Sequence, residues 1–197
     1  MSAEQGAPRS AALAALVALA LAMAASAQAM VVVQRNFPDL VARAEQIVVG
    51  TVTEITEERD ASGSPWTLVT FSDLTVLKGD VGTGLTLRFY GGRTGETAVH
   101  IPDMPSFTLG ERNVVFVTGN GQIICPLVGV WQGRFRVRFD AAQGTEVVES
   151  SDGNPPTIRR DAAPTRAPAL VAPVTLDEFR QSVADEIAHP RAGAARE

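Results

Sequence analysis

Between Ile47 and Val148 one pattern repeats: a short run rich in Val, Ile, Leu, Phe and Thr, then a turn marked by Gly, Asn, Asp or Pro. Runs this short, closely spaced and bounded by turn residues, are strands rather than helices. Ile47-Val48-Val49-Gly50-Thr51-Val52-Thr53 opens the series, apolar on both faces at first, with Gly50 placed where a strand can bend sharply. The polar segment 57–64 makes a turn, and a second strand spans 66–77. Its apolar parity changes between Val69/Phe71 and Leu74/Val76, which predicts a β-bulge near Ser72-Asp73, because one extra residue moves the following side chains to the other face. Further strands are expected at 85–90, ended by Gly91-Gly92, then at 113–118, 123–125, 128–131, 135–139 and 145–148. Residues 93–110 read as a long loop with a β-prone piece at 98–101. Close spacing and two signs of sharp curvature predict a mainly β fold: a small OB-like barrel of five to seven strands.

A helix is expected at either end of this series. Pro38 suits a first helical turn running through Leu40, Val41 and Ala44, after a β-prone Val31-Val32-Val33. At the other end, Thr175 and Glu178 have capping-box spacing, and Val174 and Phe179 suit a hydrophobic staple. Leu176, Phe179, Val183 and Ile187 then recur at helical spacing before Pro190, so residues 174–189 form an amphipathic helix that either covers the core or docks a partner. Between strands and helix, residues 149–173 shift to Ser, Asp, Pro, Arg and Ala, the composition of a flexible linker.

The amino-terminal end gives an address. Residues 11–25 are an unbroken apolar run behind Arg9, followed by Ala27-Gln28-Ala29, with roughly 15 residues too few for a comfortable bilayer span. This reads as a signal peptide at 1–29, a barrel domain at 30–148 and an exported protein, periplasmic or secreted, that touches a membrane only if the signal stays uncleaved. Glu4 and Arg9 cancel within that segment, so the remainder keeps the formal net charge of -5. Net negative charge argues against nucleic acid or an anionic membrane surface as the main partner.

Chemistry is sparse. Cys125 is the sole cysteine, which excludes an internal disulfide and a Cys-based structural zinc site. It sits in Ile123-Ile124-Cys125-Pro126-Leu127, where a thiol is expected to act as a small buried hydrophobe. The only histidines, His100 and His189, have no carboxylate or cysteine at ligand spacing, so no metal site is expected. A Cys125/His100 dyad is the sharpest enzymatic alternative, but no nucleophile elbow, phosphate loop, dinucleotide fingerprint or calcium loop is present. The sequence therefore assigns no catalytic residue and no cofactor.

Arg134, Arg136 and Arg138 alternate with Phe135, Val137 and Phe139, so three guanidiniums share one strand face. That face either binds a carboxylate-rich, phosphorylated or polysaccharide partner or is balanced by neighbouring Asp and Glu. Trp131, and Phe179 and Val183 on the terminal helix, complete the candidate contact residues.

Ile47-Val48-Val49-Gly50-Thr51-Val52, a long strand ending Val76-Leu77-Lys78-Gly79, and Phe107-Thr108-Leu109-Gly110-Glu111-Arg112 before Val114-Val115-Phe116-Val117 together resemble the netrin-like and tissue-inhibitor-of-metalloproteinase group. The same strand-Lys-Gly and Gly-Glu-Arg pattern is similar to a broad set of uncharacterised exported bacterial proteins. The resemblance covers residues 44–139 and implies an OB-type barrel. Inhibitors of that group use a mature amino-terminal Cys and several disulfides, which this chain lacks, so their mechanism does not transfer. The resulting expectation is a non-enzymatic exported interaction module whose partner is another exported protein, a protease among the candidates. The alternative is a barrel that binds a glycan or small ligand.

Overall fold

The computed structural model describes residues 35–95, 97–151, 156, 158 and 173–190. The expected signal peptide, the β-prone 31–33 and most of the linker fall outside these residues. Element order is α1 (Phe37–Arg43), β1 (Gln46–Arg59), β2 (Pro65–Lys78), β3 (Leu85–Tyr90), β4 (Gly92–Thr94), β5 (Thr97–Val99), β6 (Arg112–Val117), a 3-10 turn (Val130–Gly133), β7 (Arg134–Asp140), β8 (Thr145–Ser150), β9 (Val174–Thr175) and α2 (Leu176–Ala188).

Seven strands pair antiparallel in the order β3-β2-β1-β6-β7-β8-β9, and β4 and β5 form a separate two-stranded ribbon. The fold is thus mainly β with a helix at either end. The ladder is open, because no pairing joins β3 to β9 among the described residues. The physical reason lies in which face each strand buries. β1 and β6 bury both: Ile47, Val49, Val114 and Phe116 enter a first core, while Val48, Val52, Val115 and Val117 enter a second. That is why these two runs are continuously apolar rather than alternating. β7 and β8 send Phe135, Val137 and Val148 into the first core, whereas β2 and β3 send Val69, Phe71, Leu85, Leu87 and Phe89 into the second. The two wings of the sheet therefore wrap opposite faces, and their outer edges do not meet.

The helices fill the first core. Asn36 caps α1 by accepting from the Asp39 N–H at 2.9 Å, and Pro38 occupies the first turn. In α2 the capping box is complete: Thr175 Oγ1 accepts from the Glu178 N–H at 3.2 Å, and Glu178 Oε2 accepts from the Thr175 N–H at 2.9 Å. Phe179 packs against Phe37 at 5.4 Å, Phe135 at 5.1 Å and Phe116 at 6.2 Å between ring centroids. Leu176, Phe179 and Val183 are buried as the stripe predicts, but Ile187 is exposed and Glu186 takes the buried position on the last turn. The helix covers the core, which is the first of the two roles its stripe allowed.

The predicted bulge is present. Val49 pairs with Thr75 and Thr51 with Ser72, so Asp73 and Leu74 together oppose Gly50, and Asp73 adopts a left-handed φ of 51°. A Cβ on Gly50 would lie 2.8 Å from Leu74 Cδ2 and 3.2 Å from Phe71 Cβ, so glycine there is required by the close approach of the bulged strand.

Several expected boundaries move. β1 continues to Arg59 instead of turning at Glu57, and the turn proper is built by Asp60, whose Oδ1 accepts the Ser62 and Ser64 N–H groups at 2.9 and 3.0 Å. Residues 123–125 and 128–131 are not strands: the chain makes turns, one bridge between Val117 and Leu127, and the 3-10 turn. This segment instead covers the free edge of β3. Asn120 Nδ2 donates to the Thr86 carbonyl at 2.8 Å, Asn120 Oδ1 accepts from the Arg88 N–H at 3.1 Å, and the Ile124 carbonyl accepts from the Tyr90 N–H at 2.8 Å. A strand edge left bare would be a template for association, and this loop removes it.

Candidate functional site

The arginine face is built as the alternation predicts, but its charges are spent within the molecule. Val115 pairs with Arg134, Asn113 with Arg136 and Glu149 also with Arg136, so acidic and amide groups stand beside the guanidiniums on one face. Arg134 is buried; its Nη2 donates to Glu111 Oε1 at 2.6 Å and its Nε to Asn113 Oδ1 at 3.0 Å. Its guanidinium also lies 4.5 Å from the Phe107 ring centroid. Burial pushes the Arg134 guanidinium below its ordinary value, and Glu111 opposes that shift. Arg136 Nε donates to the same Glu111 oxygen, and Arg138 pairs with Glu149 diagonally and with Asp140. The Glu149 bond is the main cause that raises the Arg138 value. Of the three, Arg136 remains the most accessible, with 57 % of its side chain exposed.

The other sequence candidates scatter. Phe179 and Val183 are fully buried in the first core and offer no contact surface. Trp131 is exposed on the 3-10 turn, where its carbonyl accepts from Ser151 Oγ at 2.9 Å. Cys125 is buried in the second core, and burial raises its thiol above the ordinary value. A thiol so placed is a poor nucleophile. His100 is exposed, His189 closes α2 as expected, and no group of His, Cys, Asp or Glu suited to a metal ion occurs among the described residues.

A cleft the sequence did not signal lies on the second-core side. Ile55, Val69 and Phe89 form its sheet wall, and Ile101, Met104 and Phe107 form the opposite wall from the loop that follows β5. Its cavity volume is about 290 Å³, and His100 and Ser106 are exposed beside it. Gly91 makes the close approach possible: at a φ of 105°, a Cβ there would sit 2.9 Å from the Val99 carbonyl and 3.6 Å from Ile101 Cγ1. Thr67 Oγ1 donates to the Gly91 carbonyl at 2.9 Å, so that hydroxyl is occupied. Phe107 joins the cleft to the second core, with ring centroids 5.4 Å from Phe89 and 5.7 Å from Phe71. The usable sequence signal was Ile101, Met104 and Phe107, three large apolar residues in a loop broken by Pro102 and Pro105.

No family model, curated protein or solved structure matches this chain. The two signatures that carried the resemblance have local explanations. Lys78 Nζ donates to the Val41 carbonyl at 2.7 Å at the end of α1, and Gly79, at a φ of 77°, passes so close to the Glu45 carbonyl that a Cβ there would collide with it. Gly110 donates its N–H to the Val52 carbonyl at 2.8 Å, Glu111 holds Arg134 and Arg136, and Arg112 pairs with Glu146 at 3.4 Å.

Proposed function

We propose that this protein is an exported, non-enzymatic binding module whose ligand enters the cleft between the β2–β3 wing and residues 99–107. The observation that carries the reading is the cleft itself, concave, largely apolar and close to the lower size limit of small-molecule sites, about 300 Å³. Capture of a protein through the arginine face is the weaker reading, because Arg134 and Arg138 are committed to Glu111, Glu149 and Asp140. The helix surface is weaker still with Phe179 and Val183 inside the core.

The OB-like reading belongs to the same proposal. Support comes from the hydrogen bonds that carry the edge of β3 onto residues 120–124, which ring the second core with β1, β2, β3, β6 and a loop in place of a fifth strand. Netrin-like ancestry is compatible with that arrangement, and the export assignment rests on residues 1–29.

The test is thermal stabilisation of the full chain by a panel of small apolar compounds, saccharides and peptides, run beside affinity capture from envelope extract and culture fluid. A small ligand is expected to raise Tm saturably, and Ile55→Trp, which fills the cleft from its strand wall, is expected to abolish the shift. A ligand shift untouched by Ile55→Trp, or capture of one protein that depends on Arg136 and Arg138, would overturn the cleft assignment.

A further inference from the structure

We infer that the cleft selects an uncharged aromatic compound of about bicyclic size with one polar substituent at the mouth; this rests on the cleft being the binding site. Size comes first. A cavity of about 150 Å³ holds benzene, and drug-sized ligands need about 300 Å³ or more, so a cleft of about 290 Å³ suits two fused rings.

Charge comes second. Among the described residues no Asp, Glu, Lys or Arg lines the cleft, so an ionised ligand would find no opposite charge there to offset its desolvation. Arg134 does not alter this, since it is already paired with Glu111 and Asn113.

Wall chemistry comes third. Phe89, Tyr90 and Phe107 line the cleft, and Phe107 is held edge-on to Phe71 at 90°, so aromatic rings are presented to a ligand ring. Met104 adds an adaptable thioether that makes favourable contacts with ring edges. Of the polar lining residues, His100 and Ser106 are exposed, Tyr90 is half-buried, and Thr67 already donates to Gly91. A ligand hydroxyl or ring N–H therefore faces outward, toward His100 and Ser106, with its rings inward.

The experiment uses the full chain and 2-naphthol, with binding read by ligand fluorescence and by intermolecular nuclear Overhauser effects to the Ile55, Val69 and Met104 methyls. Saturable 1:1 binding is expected, with competition by indole and about tenfold weaker binding of 2-naphthoate and of 1-octanol. Phe107→Leu is expected to weaken 2-naphthol about tenfold and 1-octanol by clearly less. If 1-octanol or 2-naphthoate binds as tightly as 2-naphthol, the ligand class is wrong and the cleft assignment stands. If none of the probes gives effects at those methyls in the unmodified protein, the cleft assignment itself fails.

Discussion

Glu111→Ala should be among the most damaging single substitutions outside the apolar cores. Glu111 is 12 % exposed, accepts from Arg134 and Arg136, and also accepts from the Thr108 N–H at 3.2 Å. Removing it leaves the Arg134 guanidinium, 8 % exposed, with Asn113 Oδ1 and the Phe107 ring as its remaining described partners. Stranding one partner of a buried pair costs about 3–5 kcal/mol, and the two surviving contacts place this case near the lower end, about 3 kcal/mol. For a domain of this size that is a fall in Tm of roughly 10 °C. Arg136→Ala removes the exposed arm of the same cluster and should cost no more than about 0.5 kcal/mol. Replacing the buried pair together, Arg134→Met with Glu111→Leu, should cost less than Glu111→Ala alone, because no charge is left uncompensated. Urea unfolding of the unmodified protein, these three variants, and Arg134→Met and Glu111→Leu each alone supplies the comparison. Equal costs for Glu111→Ala and Arg136→Ala, or a double variant whose loss equals the sum of its two single losses, would refute the view of Arg134 as a buried charge that depends on Glu111.

Three further outcomes test the frame of the fold. Asp60 is held down to about 2 from 3.8, chiefly by the Ser62 hydroxyl and then the Trp66 indole N–H, so its ionised form contributes stability above about pH 4 that disappears as pH falls through about 2. The stability deficit of Asp60→Asn should therefore be constant above pH 4, shrink between about 4 and 2, and vanish below; a pH-independent deficit in urea titrations contradicts this. Gly50→Ala should destabilise by about 1–3 kcal/mol through overpacking against the bulge, and Leu74→Ala should recover part of the loss, since Leu74 Cδ2 is the nearest atom at 2.8 Å. Failure of that rescue would mean that the backbone of β2, with the Ser72 carbonyl at 3.3 Å, sets the limit. Lys78→Met should cost about 1–2 kcal/mol by freeing the Val41 carbonyl at the end of α1, with hydrogen exchange accelerated at Leu40 and Ala44, whose N–H groups bond within and at the end of that helix. Unchanged exchange there would show that the helix end does not need the ammonium.

What could be read from the sequence was whatever depends on near neighbours. The β2 bulge showed as a parity change between Phe71 and Leu74, and the α2 start showed as Thr175 with Glu178 three residues on. What depends on distant partners stayed hidden. The polar end of β1 resembled a turn because Glu54, Glu57, Glu58 and Arg59 are exposed, yet it pairs residue by residue with β2 from Arg59↔Pro65 to Glu54↔Thr70. Residues 123–125 looked like a strand because they are apolar, but only Cys125 enters the core while Ile123 and Ile124 are exposed beside the edge of β3. Alternation placed three arginines on one face, and nothing local told that Glu111 and Glu149 share it.

The arginine face and the cleft meet at Phe107. One neighbour of that ring is Arg134, and others are Phe89 and Phe71; the ring lines the cleft. Four residues further on, Glu111 ties the same loop to β7, while Gly91 at the other side lets the chain that follows β5 pass close over the sheet. The loop wall is thus positioned at one end by a buried ion pair and at the other by the lack of a side chain. Apolar contact at Ile101, Met104 and Phe107 holds it between. On the proposed cleft reading, Arg134 would bear on binding without touching the ligand, because its contact with the Phe107 ring helps to fix where the aromatic wall begins.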